Sequence, residues 1–404
     1  MDINKNKSPY IILIITLALF IVVNLGVYWY MSLSGLNGYD LNGHWAIGAY
    51  TLNGYNPYPL IGTDGPIESF NDIPENFSTV PWGCSLGNVF YGGFFSSDTA
   101  YVYNLIMHFV FLVLTMIVIC KAGRSYLDAK DCSVMVLMLC SHFCFMYSVF
   151  FANAGGIICS MLIIAIYLAA NHPWLSAIFL SLAMVKPQIA GVVCIIFLLN
   201  RKWKTLILAA AIDIAGWIAT SLLTDTGFFT LLTQTFSSGT ASTEQYLGLF
   251  SLLHRFGLSK GIVLGINVVT GSAYSVYLWK YLKDNGIKSE NSLILYAPAC
   301  IASTFWLYKN GTDYFLLTFA SVFFAILFLK KAMTLKDKIV TYICIGYLQM
   351  SRCAVYLGVT LFGDTPVIND IFKGGDGLLL AVAGIILCRM WVKYDAEKLI
   401  CTDK

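Results

Sequence analysis

Apolar runs recur along this chain from Ile11 to Trp391, and they leave no sizeable stretch for a separate water-soluble domain. A helix needs about 20 apolar residues to cross a bilayer, because it rises about 1.5 Å per residue and the hydrocarbon layer is about 30 Å thick. Such runs cannot be repeated this often in a chain that folds in water. Charged residues confirm the reading: they make up 12% of the 404 residues, against about 25% in a soluble domain. A soluble enzyme and a disordered scaffold are excluded. A nucleic-acid binder is excluded too, since 25 Lys and Arg face 22 Asp and Glu. The expectation is an all-α polytopic membrane protein, a single integral domain over residues 1–404.

Candidate spans fall at 10–31, 101–120, 133–152, 156–170, 173–185, 188–199, 205–223, 261–279, 291–307, 314–329, 339–362 and 377–392. Lys and Arg accumulate in cytoplasmic loops and therefore orient the chain. Lys5 and Lys7 put the N-terminus inside. The clusters Lys121/Arg124/Lys130, Arg201/Lys202/Lys204, Lys280/Lys283/Lys288, Lys330/Lys331/Lys336/Lys338 and Arg389/Lys393/Lys398/Lys404 then share that side. Together they account for nineteen of the 25 basic residues. The 69 residues from Ser32 to Ala100 contain neither Lys nor Arg, as an external loop should. Residues 173–199 admit one long helix or two short ones broken at Lys186-Pro187. Proline removes a backbone donor and disfavours helix just before it, and one long helix would throw every later basic cluster outside. Two short helices are expected, giving twelve spans with both termini inside. The first run is longer than a signal-peptide core and reads as an anchor.

The 12 cysteines lie mostly inside apolar runs, with no metal-ligand spacing and no disulfide framework, and read as small core residues. The chemistry is therefore expected in the external segments, 32–100, 224–260 and 363–376, with a short turn at 308–312. The first is rich in Gly, Asn and aromatic residues, including Tyr39, Trp45, Tyr58 and Trp82. Such rings form an interfacial belt or the walls of a sugar pocket. Asp40 lies just beyond the first span, at headgroup level. A partly desolvated carboxylate there has a raised pKa and accepts a proton from a hydroxyl; the ordinary alternative is a helix cap or a solvated loop acid. Among cations, Lys186, Arg255, Lys309 and Lys373 are external and Arg352 falls within a span. An intramembrane Arg faces a cavity or a partner, so Arg352 binds a phosphate or pairs internally, for instance with Asp213. His254 and Asp313 complete the outer polar groups. His44, His108 and His142 show no metal spacing.

With these residues in place, the chain resembles a known family. Asp40 followed by Ala49-Tyr50-Thr51-Leu52-Asn53-Gly54-Tyr55-Asn56-Pro57-Tyr58 resembles the first external loop of glycosyltransferase family 87, which has a C-type membrane glycosyltransferase (GT-C) fold. Val185-Lys186-Pro187-Gln188 is similar to that family's Lys-Pro element between short helices, and Thr312-Asp313-Tyr314-Phe315-Leu316-Leu317 to its Asp-aromatic start of a late span. The chain departs from the pattern at Thr79-Val80-Pro81-Trp82-Gly83 and at Lys309-Asn310-Gly311, which leaves the sugar open. The resemblance implies about twelve transmembrane helices with juxtamembrane helices in the first loop. It implies a bacterial cytoplasmic membrane, an extracytoplasmic site, a polyprenyl-phosphate-sugar donor, mannose-like, and a glycolipid or glycan acceptor. Asp40 is then the general base. Lys186, Arg255, Lys309, Arg352 and His254 are candidates for the donor phosphate, and Tyr39, His44, Trp45, Tyr58, Trp82, Gln188 and Asp313 for the sugar and acceptor pocket. No cofactor, metal or nucleic acid is implied.

Two other functions fit a multi-span chain with external cations. A polysaccharide polymerase or ligase would use a diphosphate-linked donor, and usually places its large loop late rather than first. A transporter or flippase tends to carry broken helices in matching halves, and the short pair at 173–199 has no clear later counterpart.

Overall fold

The computed structural model describes residues 8–33, 38–63, 65–67, 92–123, 127–241, 248–307, 311–363 and 365–394. These are helical, with no strand among the described residues. In chain order the helices are α1 Ser8–Ser32, α2 Tyr39–Leu52, α3 Ser97–Gly123, α4 Ala129–Ser141, α5 Phe143–Phe151, α6 Gly155–Leu168, α7 Pro173–Ala183, α8 Pro187–Leu199, α9 Trp203–Leu223, α10 Phe228–Ala241, α11 Ser251–Arg255, α12 Lys260–Asp284, α13 Ala297–Ala302, α14 Leu317–Lys330, α15 Leu335–Phe362 and α16 Pro366–Lys393. Each of the twelve stretches read as a span contains helix, though 133–152 is split at His142 and 291–307 is helical only over Leu293–Ala302. By length and apolarity six segments are sufficient to cross a membrane, or seven if α4 and α5 count as one bent span. α15 is 28 residues long but carries Gln349 and Arg352 and is not among the six.

Burial separates lipid-facing helices from the centre. The Gly311–Lys330 segment is 94% buried across its most apolar window, whereas Trp203–Leu223 is 11% buried. α6 is enclosed almost throughout, while α1, α3, α9 and α12 turn side chains such as Ile15, Val22, Phe109, Ile207 and Val269 outward. Large apolar residues exposed along whole helices would be a liability in water and are the expected surface in lipid.

The breaks between helices have local causes. Pro173 and Pro187 occupy the first positions of α7 and α8, where the missing N–H costs nothing. The expected break at Lys186-Pro187 is present, with Met184–Lys186 separating the two helices. α4 and α5 bend by 46° at His142. The bend frees carbonyls that lipid cannot satisfy. Asn24 and Tyr28, one turn apart on α1, supply the donors: Asn24 Nδ2 to Ser141 O at 2.8 Å and Tyr28 Oη to Phe143 O at 2.7 Å.

Ion pairs hold the basic ends of α14 and α16 against acidic residues at the starts of α4 and α15. There α4 opens on a capping box: Asp128 accepts from the Lys130 and Asp131 amides, and Asp131 accepts from the Asp128 amide at 2.7 Å. Asp131, fully buried, also accepts from Tyr10 Oη at 2.6 Å and pairs with Lys330 at the end of α14. Lys393 closes the same end by pairing with Asp337 at 2.6 Å. Replacing Lys330 by Met would leave Asp131 buried without its cation, an expected loss of about 3 kcal/mol. It should appear as a lower melting temperature of the detergent-purified protein, with a smaller loss in the D131N/K330M double variant.

Candidate active site

The opposite end is built where short helices stop. α6, α7 and α8 are 14, 11 and 13 residues long, or about 21, 17 and 20 Å, short of the roughly 30 Å hydrocarbon layer. α6 begins, α7 ends and α8 begins beside Asn153 and Lys186.

Asn153 is the centre of this cluster. α5 ends at Phe151, and Ala152 turns the chain through the left-handed region with φ of 52°. A Cβ is crowded in that conformation. The turn is held by two amides that donate back into α5, Ala152 N to Val149 O at 3.2 Å and Asn153 N to Ser148 O at 2.9 Å. Asn153 Oδ1 then accepts from Lys186 Nζ at 2.8 Å, the Gly155 amide at 2.9 Å and Thr312 Oγ1 at 3.0 Å. Its Nδ2 donates to Asp40 Oδ2 at 2.8 Å. Lys186 Nζ also reaches Asp313 Oδ1 at 3.1 Å, and Cys159 Sγ donates to the Asp313 carbonyl at 3.3 Å. Residues from α2, the α5–α6 turn, the Lys-Pro break and the 3-10 turn Gly311–Leu316 thus meet. Gly155 permits the approach, because a Cβ there would lie 2.6 Å from Thr312 Oγ1.

Asp40 lies in the first turn of α2 and makes no cap of its own. Burial pushes its carboxyl above the usual range, the Asn153 hydrogen bond and Lys186 pull it back, and Asp313 adds to the rise. Four residues on, His44 is held well below the usual imidazole range by burial and by Lys186, and is neutral.

A cavity of about 640 Å³ lies behind the same 3-10 turn, lined by Gly311, Arg352, Lys373, Asn369, Tyr147 and Tyr356 among others. Gly311 is its near wall: a Cβ there would sit 3.1 Å from the Tyr147 ring and 3.4 Å from Arg352 Nε. The Arg352 guanidinium stacks over Tyr314 at 5.2 Å, and no carboxylate among the described residues lies within ion-pair distance of it. Asp213, the internal partner considered for it, instead accepts from Ser181 Oγ at 2.6 Å. The cluster and the cavity therefore share one short backbone segment, Gly311-Thr312-Asp313, as a partition.

The other sequence-predicted residues divide. Arg255 pairs with Asp370 of α16, and His254 Nδ1 contacts Leu258 O in its own turn at 2.9 Å; neither contact is part of the Asp40 cluster. Trp45 is buried and donates to Phe95 O at 3.0 Å. Tyr58 sits in a separate 3-10 turn, Tyr58–Leu60, and Gln188 is buried in the first turn of α8. Trp82, Lys309 and the Tyr39 side chain lie outside the described residues. Among those described, no three His, Cys, Asp or Glu side chains gather as a metal site.

Sequence reasoning overlooked Asn153. Its only signal is a polar residue before Ala154-Gly155-Gly156 at a break between apolar runs, the same pattern that drew attention to Lys186.

Among the described residues the fold is that of a helical membrane protein, with a polar cluster where short helices meet. The profile of glycosyltransferase family 87 matches residues 91–330, more than half of the chain, and the chain belongs to that family; it is a glycosyltransferase. No curated protein and no solved structure matches significantly. The matched stretch contains Asn153, Lys186 and Asp313, while Asp40 and Arg352 flank it and join it through the contacts above. Substituting Gly155 by Ala should push Thr312 off Asn153 and cost about 1–3 kcal/mol by overpacking, measured as a lowered melting temperature.

Proposed function

We propose that this glycosyltransferase moves a hexose, mannose-like, from a polyprenyl-phosphate donor to a hydroxyl of a glycolipid or glycan, with inversion. We read it as a twelve-crossing protein of the GT-C type in the cytoplasmic membrane, both termini inside and the site on the extracytoplasmic face. The observation that carries the reading is a carboxylate cluster and a cationic cavity on the two sides of Gly311-Thr312-Asp313.

In this reading Asp40 accepts the proton of the acceptor hydroxyl. The hydroxyl oxygen attacks the anomeric carbon, the bond from that carbon to the phosphate oxygen breaks, and the electron pair leaves with polyprenyl phosphate. Burial favours proton uptake by Asp40 at a pH nearer neutrality, where a general base works best. The leaving phosphate is assigned to Arg352 and Lys373, which line the cavity. Arg352 has the fork geometry that phosphate recognition uses, and its planar face is occupied by Tyr314. A polar site among helices shorter than the hydrocarbon layer suits a donor whose tail stays in the bilayer while its phosphate reaches headgroup depth.

The first test is transfer from polyprenyl-phosphate-mannose and polyprenyl-phosphate-glucose to a mixed glycolipid extract. D40N is expected to fold and to lose at least ~100-fold in turnover; wild-type-like turnover would remove Asp40 from the mechanism. Activity should fall on acidification through a midpoint above the ordinary carboxylate range, since the base must be ionised and its folded pKa is raised. R352A and K373A should each raise the donor KM roughly tenfold, about the worth of one charge-assisted hydrogen bond. Turnover is expected to persist in EDTA, and loss that a divalent ion restores would sink the metal-independent mechanism.

A further inference from the structure

We propose that Asn153 is the positioning residue of the Asp40 carboxylate: it aims that group and favours its ionised form. The consequence for catalysis rests on Asp40 being the base, but the geometry stands independently.

The amide has no freedom in how it is used. Three donors converge on Oδ1: the Lys186 ammonium at 2.8 Å, the Gly155 backbone N–H at 2.9 Å and the Thr312 hydroxyl at 3.0 Å. A flipped amide would set its own N–H groups against an ammonium and a backbone N–H, neither of which can accept. Nδ2 must therefore face Asp40, and it does so at 2.8 Å. A carboxylate that receives an N–H is stabilised in its charged form, whereas a protonated carboxyl gains less from that donor. The other charged or titratable groups acting on Asp40 are Lys186 and Asp313, from the Lys-Pro break and the 3-10 turn, and Asn153 ties to both of their segments. His44, one turn along α2, is neutral. One side chain therefore couples the aim of Asp40 to the Lys186–Asp313 pair.

N153D separates this role from scaffolding. It keeps an oxygen for Lys186, Gly155 and Thr312 and exchanges only the donor that faces Asp40 for an acceptor. Two carboxyls in contact then share a proton, which must be held to higher pH. The experiment is an infrared pH titration of the protonated-carboxyl C=O band in purified protein, using the component lost on D40N, for wild type, N153D, N153A and D40N/N153D. The expected result is a midpoint about one pH unit or more higher in N153D than in wild type, with that rise absent from D40N/N153D. The acid limb of kcat in the transfer assay should move by the same amount, with the donor KM unchanged. An unshifted midpoint, or the same midpoint in D40N/N153D as in N153D, overturns the proposal. Loss of a folded, monodisperse protein in both N153A and N153D overturns it as well, by assigning Asn153 to the scaffold. An active D40N protein would instead remove the base reading while leaving the infrared result intact.

Discussion

A helix that stops inside a bilayer leaves backbone groups and end residues with no water to satisfy them. This chain has several apolar helices too short to cross a bilayer, and their ends need partners from elsewhere in the chain. At the bend between α4 and α5 the freed carbonyls are taken by Asn24 and Tyr28 of α1. At the junction of α6, α7 and α8 the solution is a polar cluster around the Asn153 amide, which serves a backbone N–H, an ammonium, a hydroxyl and a carboxylate at once. The same arrangement that satisfies the short helices also builds a place where charge is stable at depth.

Charge balance at the two ends of the bundle follows different rules. At the end with the basic clusters, Asp131 and Asp337 are matched by Lys330 and Lys393. Their partners come from distant parts of the chain, so they clamp α1, α4, α14, α15 and α16 together. At the other end the two cations are held differently. Lys186 is matched by Asp313, but Arg352 is stacked on Tyr314 and opens into a cavity with Lys373. A guanidinium that lines a cavity and is steadied by an aromatic ring is suited to an anion that arrives and leaves.

Much of the fold was legible from length, proline and charge. The apolar runs located the helices, and Pro187 marked the break beside Lys186. Asp40, Lys186 and Asp313 were each singled out separately from their positions next to spans. Asn153 was not, because an uncharged amide between apolar runs looks like any turn residue until its four partners are seen. Arg255 and His254 were read as phosphate ligands from external position alone. The pairing of Arg255 with Asp370 depends on how α11 packs on α16, which no local pattern encodes, whereas His254 contacts the Leu258 carbonyl within its own turn.

The sequence by itself determined that this chain is a helical membrane protein, where its helices break, and which end of each helix carries positive charge. These are properties of segments, and hydrophobicity, proline stereochemistry and charge act on segments one at a time. Only the tertiary structure decided that Asp40 would meet Asn153, Lys186 and Asp313 across the ends of α2, α5, α8 and α14, and that Arg352 would lie behind Gly311 rather than against Asp213. Those choices are made by packing and by donor–acceptor matching between segments far apart in the chain, where the cost of an unsatisfied polar group in lipid selects one partner among many.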